Sequence, residues 1–314
     1  MAMDFWQIEQ RTRRKTLIFL SLFAFLAFIA AGLLEIGLRD FEQDVYSPPL
    51  PYFGTGFLLL TFGVAFFQYW MYSRTGGKYV PESMNARLVD PNTDDPKEKQ
   101  LLNIVEEIAI ASSLPVPPIY IIDAEQINAF AAGITPQDAV IAITKGALKQ
   151  LTRDEIQGVV AHEFGHIRNG DMKLGLRLAA MIMGFYFILY LGLRMLQFSG
   201  RARGNKKGGN PTVIMALFLL VAGVFTWFFG TILKAAVSRQ REYLADASSV
   251  QFTRNPDGLA GALRKIMSEN LNDMPKSGAA YTHLYLDDHM SLSSRLFATH
   301  PPLEKRIEQI EGHK

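Results

Sequence analysis

The sequence predicts an α+β protein, mostly helical with a small sheet, joined to about four transmembrane helices. Hydrophobic residues make up 49% of the 314 residues and charged residues only 20%, which is unusual for a soluble domain of this size. Long apolar runs interrupt the chain in four places. The short β-rich runs are grouped together rather than alternating with helical patterns, which favours an α+β class over a parallel sheet.

Each apolar run is long enough for a membrane span, because a helix of about 20 residues crosses a hydrocarbon core of about 30 Å. Buried core helices are the alternative for any single run, but four runs in one chain favour a membrane protein. A cleaved signal peptide is the alternative for the first run. That run is longer than a usual signal core, and no A-x-A site follows it, so an uncleaved anchor is predicted. The runs cover residues 16–34, 54–72, 178–193 with an extension back to residue 174, and 213–233.

The flanking charges predict that both chain ends lie in the cytoplasm. Four basic residues precede the first run, as is typical of cytoplasmic flanks, and the loop 35–53 after it is mainly acidic. The loop 194–210 conflicts with this orientation, because it is basic and would lie outside. Either the charge rule is overridden there, or the third and fourth runs form a hairpin that does not cross the membrane.

The runs divide the chain into four parts. A two-helix membrane anchor is predicted for residues 1–73 and a transmembrane hairpin for residues 174–233. The remaining parts, 74–173 and 234–314, are predicted to form one domain outside the membrane.

Two helix-start signals lie in the predicted domain outside the membrane. Asp95 is a good N-cap with Glu98 completing a capping box, and Thr152 with Glu155 repeats the pattern. Helices are therefore predicted over 94–111 and from 152 onward, with further helices over 235–250 and 257–270 and after the two prolines at 301 and 302. Short strands are predicted at 118–122 and 139–144, with an extended apolar segment at 127–133 between them.

Composition excludes several kinds of site. The chain has no cysteine, which rules out disulfides, thiol nucleophiles, cysteine-ligated metals and iron–sulfur clusters. A net charge of +2 gives no basic footprint for nucleic acid. Six histidines remain as nitrogen ligands.

The segment His162-Glu163-Phe164-Gly165-His166 is an H-E-x-x-H motif on a predicted helix. Because positions four apart share one helical face, His162 and His166 can reach the same ion. Two histidines at this spacing form half of a zinc site, and Glu163 can reach a water molecule there without being a ligand. Two satisfied histidines on a surface helix are the alternative.

A zinc site of this type needs a third protein ligand, and Glu242 is the best candidate. Asp246 lies four residues later on the same face, where it can accept a hydrogen bond from the free N–H of a ligating histidine. A solvated charged helix is the alternative. His166 precedes residue 174 by eight positions and Glu242 follows residue 233 by nine, so both project from the same end of the predicted hairpin. A helix break at Gly170 would loosen this geometry.

Four stretches, in this order, resemble the HtpX-like membrane zinc metalloproteases, which are relatives of the CAAX prenyl proteases. They are INAFAAG (127–133), LTRDEIQGVVAHEFGHIRNGD (151–171), AAVSRQREYLADASSVQFTRNPDGLAGAL (235–263) and FATHPPLEKRI (297–307). The resemblance implies a zincin-like metalloprotease domain of the gluzincin type with one Zn²⁺ per chain. It implies that His162, His166 and Glu242 are the ligands and that Asp246 lies behind them.

The resemblance also implies that Asn128, Ala129 and Phe130 lie on an edge strand that binds the substrate backbone, with an ordinary core strand as the alternative. His300 belongs to the T-H-P-P stretch. It either acts in the active site, as a donor to the oxyanion or within the hydrogen-bond network, or caps the last helix. His283 and His289 match no family motif.

Together these features predict a membrane-bound, zinc-dependent endopeptidase with Glu163 as general base and His300 as a second catalytic residue. By resemblance it acts in quality control of misfolded membrane proteins in a bacterial inner membrane, with its active site facing the cytoplasm. The expected partners are peptide or protein substrates and the lipid bilayer, without nucleic acid, and no feature indicates an oligomeric state. The alternative is a non-catalytic scaffold stabilised by zinc. A channel or transporter would need charges within its spans, and only Arg177 comes near one.

Overall fold

The computed structural model describes residues 5–41, 48–74, 76–199, 211–268 and 300–312. Ten helices and four strands are found in these residues. The helices are α1 (Phe5–Phe41), α2 (Tyr52–Ser73), α3 (Tyr79–Ser83), α4 (Pro96–Ser112), α5 (Lys145–Gln150), α6 (Arg153–Asn169), α7 (Asp171–Ser199), α8 (Pro211–Thr253), α9 (Pro256–Ser268) and α10 (Leu303–Glu311). The strands are β1 (Arg87–Leu88), β2 (Ile119–Ile122), β3 (Ala129–Ala132) and β4 (Val140–Thr144).

The chain forms two compact units. The helical unit comprises residues 15–72 and 176–234, and the sheet unit comprises residues 73–175 and 235–314 with the start of the chain. Most of the predicted basic loop, residues 200–210, lies outside the described residues, as do the segment 269–299 with His283 and His289, and His313.

All four predicted spans are helices long and apolar enough to cross a membrane: α1, α2, α7 and α8. Their ends differ from the prediction in one informative way. The last span and the helix predicted over 235–250 are a single uninterrupted helix, α8. The apolar pattern ends near residue 233, but no glycine or proline follows to stop the helix before Thr253.

Close backbone approach holds the helical unit together. A Cβ on Gly223 of α8 would lie 2.6 Å from the Leu189 backbone nitrogen of α7, and one on Gly184 would lie 2.5 Å from the Thr61 carbonyl oxygen of α2. Small residues are the usual means by which helices pack in lipid, where burial of apolar surface gives no net attraction between them.

Glu35 lies within α1 and not in the loop where the sequence analysis placed it. Only 5% of this residue is exposed. Its carboxylate accepts hydrogen bonds from the Phe53 and Gly54 backbone N–H groups at 3.1 and 3.0 Å and from Arg39 Nε at 2.8 Å. The first N–H groups of a helix have no partner within the helix, so Glu35 supplies one for α2.

The four-stranded sheet has the order β1-β2-β4-β3. Strands β2 and β4 are parallel, whereas β1 and β3 pair antiparallel with their neighbours. The three predicted β segments are confirmed, and the α+β class is confirmed with them. Strand β1 was not predicted, because two residues are too few to show an alternating pattern.

Helices α4, α6 and α9 cover one face of the sheet and form the main core with it. The opposite face is a smaller cluster in which Phe130 packs with Tyr120, Ile122 and Met84. Helix α6 lies at the centre of the main core, where a Cβ on Gly158 would come within 2.5 Å of the Leu259 backbone nitrogen of α9. The helix that carries the H-E-x-x-H motif is thus held from two sides.

One of the two predicted capping boxes is confirmed. Thr152 and Glu155 make both reciprocal bonds at the start of α6. Asp95 caps α4 as predicted, but the box there is wrong, because the Glu98 side chain bonds to Arg87 and Thr93 instead. A cationic partner from β1 is a stronger attraction for a carboxylate than a neutral backbone N–H.

Replacing Glu155 by glutamine is expected to destabilise the sheet unit in a pH-dependent manner. Burial acts to raise the pKa of Glu155, but hydrogen bonds from Lys265 and Thr152 outweigh it and hold the pKa below its usual value. A carboxyl with a lowered pKa stabilises the fold above its unfolded-state pKa, and this contribution is lost as the pH falls through the folded-state pKa. We expect Glu155→Gln to cost about 1 kcal/mol at neutral pH and progressively less on acidification to about pH 3.

Thermal unfolding in detergent across this pH range measures the effect. Asp154→Asn is the matched control, since Asp154 is exposed on the same helical turn. A loss of stability that is as large at the acidic end as at neutral pH would contradict the ion-pair explanation.

Candidate metal centre

The motif histidines lie one turn apart on α6 and face the same point. The Nε2 atoms of His162 and His166 are 3.1 Å apart, and the two rings meet edge to face. Helix α6 is anchored by its capping box and ends at Gly170, which adopts the left-handed conformation with φ 69°. The predicted helix break at Gly170 therefore exists, and it comes after both histidines.

Helix α8 brings a third donor to these histidines. The Glu242 carboxylate places Oε2 at 3.6 Å from His162 Nε2 and Oε1 at 3.4 Å from His166 Nε2. The candidate ligand atoms of His162, His166 and Glu242 all lie within 4.8 Å of one another, so this His–His–Glu cluster could hold a metal ion.

Gly165, inside the motif, makes this approach of α8 possible. A Cβ at Gly165 would lie 3.0 Å from the Ser248 Cβ and 3.1 Å from the Ala245 Cα, which is tighter than ordinary van der Waals contact. A larger residue there would push α8, and Glu242 with it, away from the histidines.

The donor set of the His–His–Glu cluster fits zinc. Two imidazole nitrogens and one carboxylate, without sulfur, are typical of catalytic zinc sites that keep a fourth position open. His162 and Glu242 are only 1% and 4% exposed. Burial acts to lower the pKa of His166, but its hydrogen bonds to Asp171 and Glu242 raise that pKa well above the usual value. The cluster therefore favours positive charge between its donors, which a divalent cation would supply in place of a proton.

A carboxylate lies behind each histidine. Asp246 Oδ1 is 3.0 Å from His162 Nδ1, in the position that the sequence analysis proposed for it. Asp171 Oδ2 is 2.8 Å from His166 Nδ1, and the sequence analysis missed this contact. Asp171 follows His166 by five residues and so lies off its helical face; only the turn at Gly170 returns it to the ring.

Two buried arginines hold these carboxylates. Arg306 of α10 is fully buried and donates to Asp246 from Nη2 at 2.7 Å and from Nε at 3.0 Å, and its Nη1 lies 3.2 Å from Glu242 Oε2. Arg241 of α8 bonds to Asp171 and donates from Nη2 to the Asn169 carbonyl at 2.6 Å. The sequence analysis found neither of these arginine contacts, because both partners are distant in the chain.

Glu163 is 3% exposed and is adjacent in sequence to the first histidine. Burial raises the pKa of its carboxyl, while the neighbouring imidazoles and a hydrogen bond from the Ala131 backbone N–H oppose this rise. A buried carboxyl with a raised pKa is better suited to accept a proton near neutral pH than an exposed one.

Strand β3 forms the edge of the sheet next to α6 within the described residues. The Asn128 side chain accepts a hydrogen bond from the Ala129 backbone N–H at 2.9 Å, and the Phe130 side chain is fully buried. Substrate binding by Asn128, Ala129 and Phe130 stays a prediction, because the burial of Phe130 also fits the alternative of a core strand.

His300 lies at the His–His–Glu cluster, with Nδ1 at 3.1 Å from Glu242 Oε2 and 9% of the residue exposed. The alternative was that His300 caps the last helix, but the N-cap residue of α10 is Pro302. The position of His300 beside Glu242 supports its predicted place in the site, and its catalytic role stays a prediction.

Comparison with known proteins identifies the family. The family model described as "Peptidase family M48" matches residues 95–314, which is more than half of the chain. The chain belongs to peptidase family M48. A "Protease HtpX homolog" of Thermoanaerobacter pseudethanolicus is 33% identical over 309 residues, covering 98% of this chain and 97% of the relative. Another from Dictyoglomus turgidum is 41% identical over 212 residues, covering 67% and 68%.

The crystal structure of S. mikatae Ste24p has a similar fold. Its TM-score is 0.53 at 18% identity, and the match covers 95% of this chain and 67% of that one. The HtpX homologs confirm the predicted resemblance to HtpX-like proteases, and the similarity to the Ste24p structure confirms the predicted zincin-like fold. As a member of this peptidase family with four apolar helices, the protein is a metalloendopeptidase of a membrane. The family implies a metal ion and peptide or protein substrates, and the four helices imply a lipid bilayer.

Proposed function

We propose that the protein is a zinc-dependent endopeptidase of a bacterial inner membrane that cleaves misfolded membrane proteins at an active site facing the cytoplasm. The convergence of His162, His166 and Glu242, with Glu163 buried next to the first of them, carries this proposal. The nitrogen and oxygen donor set supports zinc over softer metals, because the cluster contains no thiolate or thioether.

The chain's own residues divide the chemistry among them. When bound, Zn²⁺ supplies a Lewis acid that polarises the scissile carbonyl and lowers the pKa of water toward about 7. His162, His166 and Glu242 hold the ion. Glu163 takes the proton of the attacking water and then delivers it to the departing amine.

Two further roles complete the proposed site. His300, beside Glu242, donates a hydrogen bond to the oxyanion that develops on the scissile carbonyl. Asn128, Ala129 and Phe130 of the edge strand region bind the extended substrate backbone, in the manner of an added strand.

The continuity of α8 supports substrates in or near the membrane. This one helix runs from an apolar span to Glu242, which lies nine residues, or about 13 Å of helical rise, beyond the end of the apolar run at residue 233. The basic residues before the first span support a cytoplasmic location for that end of the helix.

The detergent-purified protein is expected to cleave an unfolded reporter such as casein, with about one zinc bound per chain. A strong chelator should abolish the cleavage, and added Zn²⁺ should restore it. Sealed vesicles test the orientation, since inside-out vesicles should cleave added casein and right-side-out vesicles should not. A folded protein without zinc would refute the metal assignment, and zinc binding without any cleavage would favour the scaffold.

A further inference from the structure

We propose that Asp171, held by Arg241, is a positioning residue that fixes the ring of His166 so that its Nε2 faces the metal. This inference rests on the proposed metal centre and adds a residue to it. The structure brings together His166 from α6, Asp171 from the first position of α7 and Arg241 from α8. All three lie in the sheet unit.

The two oxygens of Asp171 have different partners. Oδ2 lies 2.8 Å from His166 Nδ1, and Oδ1 accepts from Arg241. The carboxylate therefore cannot rotate away from the histidine without losing its arginine. The side chains of His166, Asp171 and Arg241 are 17%, 10% and 9% exposed, so water competes poorly for these bonds.

The backbone places Asp171 where it can act. Gly170 ends α6 in the left-handed conformation, which few other residues adopt without cost, and the next residue opens α7. Arg241 also donates to the Asn169 carbonyl at 2.6 Å, and so satisfies one of the free carbonyls at the end of α6. One guanidinium thus fixes both the carboxylate and the turn that presents it.

The arrangement repeats the one behind the other histidine. Asp246 lies beside His162 and is held by Arg306, just as Asp171 lies beside His166 and is held by Arg241. A histidine whose second nitrogen donates to a carboxylate has a fixed tautomer and a more basic ligand nitrogen. Asp246 lies beside His162 only, so Asp171 is the carboxylate that orients the ring of His166.

The test compares Asp171→Asn and Asp171→Ala in the full-length, detergent-purified protein. Zn²⁺ affinity is measured by competition with a chelator, and the visible absorption of the Co²⁺-loaded protein reports the ligand geometry. We expect about tenfold weaker Zn²⁺ binding for Asp171→Asn, whose amide oxygen still accepts from Nδ1, and about 100-fold weaker binding for Asp171→Ala. The Co²⁺ spectrum should change in both variants, and kcat should fall more than KM rises.

The same substitutions at the exposed Asp154 of α6 serve as matched controls and should leave Zn²⁺ affinity unchanged. If Asp171→Ala does not fold, the nearly isosteric Asp171→Asn decides the question. A folded Asp171→Asn with wild-type Zn²⁺ affinity and Co²⁺ spectrum, even with a lower Tm, would overturn the positioning role while leaving the metal centre intact. A wild-type protein that binds no zinc would overturn the metal centre and this inference together.

Discussion

Glu163→Gln is expected to abolish peptide hydrolysis while leaving zinc in place. Loss of a general base typically lowers the rate by about 10²- to 10⁴-fold. The amide has the size of the carboxyl it replaces, and its oxygen can still accept from the Ala131 backbone N–H, so the buried site should keep its shape. The candidate ligands His162, His166 and Glu242 are untouched.

Casein cleavage and zinc content measured on the same sample test this prediction. Glu106→Gln is the matched control, because Glu106 is exposed on α4 and should tolerate the change without effect. Cleavage within about twofold of wild type would show that Glu163 is not the base. Loss of cleavage together with loss of zinc would instead show that Glu163 is needed to keep zinc in the site, which would contradict its role as the base.

Arg306→Met is expected to give the largest loss of stability among the site variants. Arg306 is fully buried and neutralises Glu242 and Asp246, which are each 4% exposed. Removing one partner of a buried charge network leaves the others uncompensated and typically costs about 3–5 kcal/mol. Methionine fills much of the same volume, so the loss would reflect charge rather than a cavity.

Thermal unfolding in detergent measures this loss. Lys305→Met is the control, because Lys305 is the exposed neighbour on α10. Arg306→Lys keeps the charge but not the two-nitrogen contact with Asp246, so its loss should be smaller. A Tm for Arg306→Met no lower than that of Lys305→Met would show that the buried arginine does not stabilise the site.

Local patterns made much of the molecule predictable. His162 and His166, like Glu242 and Asp246, are four residues apart, so helical periodicity alone puts each pair on one face. The membrane helices were equally predictable from the sequence, because a long apolar run is a property of one contiguous segment. The predicted hairpin made it reasonable that the two faces meet, but their contact at Glu242 required the structure.

The contacts that escaped prediction depend on geometry that a local pattern does not contain. Asp171 reaches His166 only because of the left-handed turn at Gly170. Arg306 meets Asp246 from a helix that lies 60 residues further along the chain. Glu98 does not bond to the backbone N–H that the capping box requires, because its carboxylate binds Arg87 of β1 instead. Strand β1 was too short to be predicted.

The continuity of α8 restricts how this protein can be altered. Successive residues of a helix are about 100° apart around its axis, so adding or deleting a single residue between the apolar segment and Glu242 would rotate the carboxylate by about 100° relative to that segment. The membrane-spanning half of α8 is therefore not an exchangeable anchor. A hybrid that joins this α8 to another membrane helix must keep the rotational phase of the original, with additions in steps of about seven residues, or two turns.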